Sequence, residues 1–97
     1  MSDITVTHKE DETQDKYVFF VEVDEAGSAT KHEVTVEEDD YQRLTPEEAS
    51  VEELVRESFQ FLLEREPKES ILSNFDITVI GNFFPEYNEI IKERLQP

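Results

Sequence analysis

The sequence contains no cysteine. Disulfides, thiolate zinc sites and cysteine nucleophiles are therefore excluded together. It has only two glycines, Gly27 and Gly81, too few to build the glycine-rich loop that cradles a phosphate, so nucleotide binding by the usual loops is excluded as well. Bases are scarce: nine Lys and Arg stand against 25 Asp and Glu, a formal net charge of −16. Contact with a phosphate backbone needs clustered cations. Direct nucleic-acid binding is not expected, and anionic membrane surfaces are disfavoured for the same reason. No apolar run approaches ~18 residues and no signal-peptide pattern is present. A soluble cytoplasmic protein is the expectation.

What is present is enough for a fold. Leu, Ile, Val and Phe supply 28 of 97 residues, above the level of about 20% below which a highly charged chain stays disordered. This length suits one domain over residues 1–97 with a modest core. The acidity is uneven. Residues 1–48 hold 15 acids and 4 bases, and residues 49–97 hold 10 and 5.

The clearest local signal is Ser50–Glu66. At 100° per residue, Val51, Leu54, Val55, Phe59 and Leu62 form one stripe, which Phe61 and Leu63 widen. Phe59 lies in its middle, as a central core residue would. Ser50 with Glu53 reads as a capping box. A second box, Thr45 with Glu48, offers a competing start upstream, with Pro46 at its first-turn position. Pro67 ends the helix.

Before it the period is 2. Ile4, Val6 and His8 alternate, so residues 1–15 read as a weak edge strand followed by a polar, partly disordered stretch. Tyr17, Phe19, Val21 and Val23 line one face of a strand, and His32, Val34 and Val36 one face of the next. A turn region over Asp24–Ser28 gives a hairpin with a loop of about six residues. The polar residues of the opposite face imply that one face alone packs on the core. Glu37–Thr45 is a crossover with room for one helical turn. After Pro67, Lys68–Ser73 reads as a short helix or turn. Asp76 is a reasonable cap for a helix over Ile77–Phe84, with Ile77, Ile80 and Phe84 on one face and Phe83 beside them. Strand is the competing reading there, because Ile77-Thr78-Val79-Ile80 has high β propensity. A last helix follows Pro85, with Tyr87, Ile90, Ile91 and Leu95 on one face. The fold class is α+β: an N-terminal antiparallel hairpin or three-stranded meander, then three to four helices.

The segments FQFLLEREPKESIL at 59–72 and FDITVIGNFFPEY at 75–87 place Ser50 to about Ile91 in resemblance to a family of small bacterial proteins without an assigned function. The resemblance implies that the second segment is helical and that the hairpin belongs to the same domain. It brings no catalytic or binding residues. The front half of this chain is more acidic than the family pattern.

No catalytic, cofactor-binding or metal-ligating residue is assigned from the sequence, and no cofactor is expected. Glu37-Glu38-Asp39-Asp40 is the densest acidic run, and Glu10-Asp11-Glu12 a lesser one. Neither has the D-x-D-x-D-G pattern of a calcium loop, and both read as solvated. His8 and His32 lie on presumed strands without H-x-x-x-H or H-E-x-x-H spacing, so they read as ordinary strand histidines. No G-x-S-x-G elbow frames a serine. The expectation is a non-enzymatic acidic protein that works through protein–protein contact. Its partner is another protein, with a basic face to match the acids, or a second copy of the chain. The alternative is a carboxylate-based metal-binding protein or hydrolase. Adaptation to high salt would account for the acidity without any partner.

Overall fold

The computed structural model describes residues 3–9, 15–46 and 49–96. Three antiparallel strands come first: β1 (Asp3–Lys9), β2 (Lys16–Glu25) and β3 (Ser28–Glu37). Helices α1 (Glu38–Leu44) and α2 (Val51–Leu63) follow, then a 3₁₀ turn over Lys68–Ser70. A short strand, β4 (Asn74–Asp76), precedes α3 (Thr78–Phe83) and α4 (Tyr87–Arg94). The sheet order is β1-β2-β3-β4, with β4 parallel to β3. This is an α+β fold, and the N-terminal part is the three-stranded meander. The polar stretch 10–14, with the acids Glu10-Asp11-Glu12, lies outside the described residues.

Register explains which face is dry. Val21 stands opposite both Val6 and His32, and Phe19 opposite both His8 and Val34. These side chains share one face, with Phe75 of β4 beside Val34. Phe19, Val21, Val23, Val34 and Val36 are all buried there. Helix α2 closes over them and presents Leu54, Val55, Phe59 and Leu62, each at most 4% exposed. That is the stripe read from the sequence. Phe61 is also fully buried, against the edges of Phe84 and Tyr87, which is why the stripe is wide. Residues 78–83 are helical, not a strand. The N-cap is Ile77 rather than Asp76; Asp76, one residue earlier, accepts the Thr78 N–H on its Oδ1 at 2.9 Å.

Ser50 caps α2: its Oγ accepts the Glu53 N–H at 3.1 Å. The upstream start is not used. Thr45 instead closes α1, its hydroxyl donating to the Tyr41 carbonyl at 2.5 Å. Glu48, the other half of that box, lies outside the described residues. The hairpin loop is also shorter than expected. β2 runs to Glu25 and β3 begins at Ser28, leaving Ala26-Gly27 as a two-residue turn. Both have positive φ, 54° and 81°, as a type I′ turn requires. That turn's backbone matches the strand twist, so pairing continues through Asp24↔Ala29 and Glu25↔Ser28.

β4 is an addition that the sequence reading lacks. Ser73 and Thr35 carbonyls accept the N–H groups of Glu33 (2.8 Å) and Ile77 (2.9 Å), lacing residues 73–77 to the free edge of β3. His32, buried on the core face, has Nδ1 2.8 Å from the Leu72 carbonyl and Nε2 2.8 Å from the Thr30 hydroxyl. Its ring lies 5.3 Å from that of Phe59.

Candidate functional site

An apolar groove of about 310 Å³ opens where the C-terminal end of α2 meets the segment leading to α3. Phe75 and Ile80 form its floor, and Leu72, Val79 and Phe83 its walls. The local sequence forces this exposure. Pro67 ends α2, and the irregular Ser70–Ser73 segment turns Ile71 into the core but leaves Leu72 outside. Helix α3 spans only six residues, under two turns, so it buries Ile80 while its last turn projects. Leu72 is 50% exposed and Phe83 68%. Glu66 stands at the rim, half-buried, and its carboxylate meets no cation or hydrogen-bond donor among the described residues.

Several other charges are already matched. Arg65 lays its guanidinium 3.7 Å from the centre of the Phe61 ring and reaches Glu64 and Glu86. Arg94 donates to Glu64 at 2.6 Å, which lowers the Glu64 carboxyl below its ordinary range and raises Arg94. Lys68 is buried with its ammonium on Glu69, which lowers that carboxyl too. The Tyr17 hydroxyl donates to Glu38 at 2.6 Å, and that bond raises the phenol above its usual range. In the core the Tyr87 hydroxyl lies 2.6 Å from Ser58 Oγ, and burial pushes the phenol far up.

The acidic run 37–40 does not act as one unit. Glu37 and Asp40 converge with Asp76 from across the sheet, their carboxylate oxygens within 4.8 Å of one another. Asp40 is taken by Arg43 at 2.8 Å, and Asp76 accepts the N–H and hydroxyl of Thr78. Glu38 turns away toward Tyr17 and Gln42. The two histidines do not meet. β2 lies between them, and His8 stacks on Phe19 at the exposed end of β1 while His32 is in the core.

Among the described residues no helix covers the second face of the sheet. Thr5, Thr7 and Lys9 of β1, Phe20 and Glu22 of β2, and Lys31 and Glu33 of β3 lie on it. Phe20 is 44% exposed, with the Lys9 ammonium 5.6 Å from its ring centre. Val18 beside it is buried. No helix among the described residues is long and apolar enough to cross a membrane. No family model, curated protein or solved structure matches this chain, so the functional reading rests on this geometry.

Proposed function

We propose that this protein is a non-enzymatic acidic adaptor that binds another protein through the groove beside Phe83. The observation that carries the reading is the pairing of Leu72 and Phe83, two bulky apolar side chains half or more exposed, with the unmatched carboxylate of Glu66 at their rim. Large exposed apolar side chains grouped about a concavity mark interaction sites. The chain's −16 charge selects the partner's sign: opposite potentials steer encounter and suppress wrong partners. The occupant is therefore a segment with bulky apolar anchors flanked by Lys or Arg, in the manner of a helix laid in a groove. Nucleic acid and membrane surfaces do not suit a surface this acidic.

For the alternative of carboxylate chemistry, the cluster present among the described residues is Glu37, Asp40 and Asp76. Arg43 and Thr78 already occupy two of those three acids, which weighs against a metal or a catalytic pair there.

A random peptide library selected on the wild-type protein, with counter-selection on Phe83→Ser, tests the proposal. Selected sequences should carry bulky apolar residues flanked by Lys or Arg, lose affinity for Glu66→Lys, and bind more weakly as NaCl rises. Selection that returns no sequence specific to the wild type would sink it.

A further inference from the structure

We infer that the open face of the sheet is where two copies of this chain meet. Three observations converge on it. Phe20 is the one bulky apolar side chain exposed away from the groove among the described residues. Lys9, Lys16, Lys31 and Lys92 are the described bases without an ion pair, and the first three project from this face. Free acids stand among them. Glu22 faces Lys31 across the β2–β3 register, Glu33 faces Phe20, and Asp3, Asp24 and Glu37 lie on the same face nearer its ends, yet none of these acids makes an ion pair among the described residues.

This mixture decides between partners. A basic partner leaves the three lysines facing like charge, and an acidic one or a nucleic acid is repelled by the more numerous acids. A second copy related by a two-fold axis satisfies both signs, because the same patch serves on both sides and each lysine can approach the other copy's glutamates. Two chains at −16 repel over most of their surface, and this is the face that offers free cations to offset it. An aromatic centre ringed by polar groups is also the usual anatomy of an interface. One strand of 7 residues and two of 10 at ~3.3 Å per residue, side by side at ~4.8 Å, give roughly 430 Å² per copy, or about 850 Å² in all. That is the size of a weak, transient contact, so the dimer should be reversible and no tighter than the micromolar range. The groove opens on the helical side of the sheet, so both contacts can be made at once.

Sedimentation velocity on the full chain over ~5–500 µM, at ~0.1 and ~1 M NaCl, tests the inference. The mass should climb with concentration from 11.4 kDa toward twice that value. Association should tighten with salt as the repulsion between copies is screened. Amide shifts that move with concentration should map to Thr7, Phe20, Glu22, Lys31 and Glu33. Phe20→Ser should be monomeric with an unchanged melting temperature, and Lys31→Glu should weaken association about tenfold or more. Phe83→Ser should leave it intact. A protein that stays monomeric at every concentration and salt overturns the inference. So does association that survives Phe20→Ser, or that is lost with Phe83→Ser instead.

Discussion

The pair Ser58 and Tyr87 allows a sharp test of how α2 and α4 are joined. Both residues are fully buried. Ser58 Oγ donates to the Leu54 carbonyl at 2.6 Å. A serine hydroxyl has one hydrogen, so the 2.6 Å contact with Tyr87 must be donated by the phenol. Removing one partner is then unequal to removing the other. Ser58→Ala strands a buried phenol O–H, which costs about 1–3 kcal/mol, whereas Tyr87→Phe takes away the donor and leaves Ser58 bonded to Leu54, costing about 1 kcal/mol. The double variant has no stranded group. It should be no worse than about 1 kcal/mol, so the two single losses should together exceed the double by roughly 1–3 kcal/mol. Urea unfolding of the four proteins, followed by far-UV circular dichroism, measures this. Additivity within ~0.3 kcal/mol would refute the hydrogen bond. A larger loss from Tyr87→Phe than from Ser58→Ala would refute its direction. pH supplies a second readout. Burial raises the Tyr87 phenol well above its ordinary value, while the unfolded chain ionises near pH 10. The contribution of this group is therefore intact below about pH 10 and falls above it by up to about 1.4 kcal/mol per pH unit. Tyr87→Phe should make the alkaline loss of stability less steep.

Ser50→Ala should destabilise by about 1 kcal/mol in urea melts, because it removes the acceptor for the Glu53 N–H. Thr45→Ala should cost less, since Thr45 closes only the two-turn α1; the reverse order would put the start of α2 upstream. Ala26 holds φ 54°, a left-handed conformation that Asn tolerates better than Ala. Ala26→Asn should therefore stabilise by about 0.5–1 kcal/mol, read as a rise in melting temperature of roughly 2–8 °C. A fall would mean that the turn is not type I′.

Local signals carried most of this fold. The stripe and cap of α2 rest on residues at most four apart, so the sequence contains them whole. The meander was legible because Tyr17–Val23 and His32–Val36 alternate cleanly, and the same alternation places His32 inside with Val34 and Val36. What escaped has non-local causes. β4 spans three residues, too few to show a period of 2, and it forms only because β3 offers a free edge. The two-residue turn was hidden because Ala26 is not a residue that advertises positive φ. Phe83 read as a neighbour of the core face, and its exposure depends on how little of α3 remains beyond Ile80. Asp76 read as the cap, and it does accept the first-turn Thr78 N–H, but the N-cap itself is Ile77, and the approach of Asp76 to Glu37 and Asp40 is a tertiary fact. Nothing in the sequence marks Lys68 for burial.

The parallel pairing of β4 has a consequence in time. β3 receives its last neighbour from residues 73–77, and His32 reaches a carbonyl 40 positions further along the chain. Closing so long a loop is slow relative to forming a hairpin. During synthesis the meander must emerge with one edge unsatisfied until α1 and α2 have both been made. The acids of the front half suit that interval: strands whose neighbours carry dense like charge resist pairing with other nascent chains. On refolding, the amides of β2 should gain protection from hydrogen exchange before those of Glu33 and Ile77, whose N–H groups bridge β3 and the β4 segment. On that order the sheet would be completed from its N-terminal strands outward, and the groove, floored by Phe75, would form no earlier than the docking of β4.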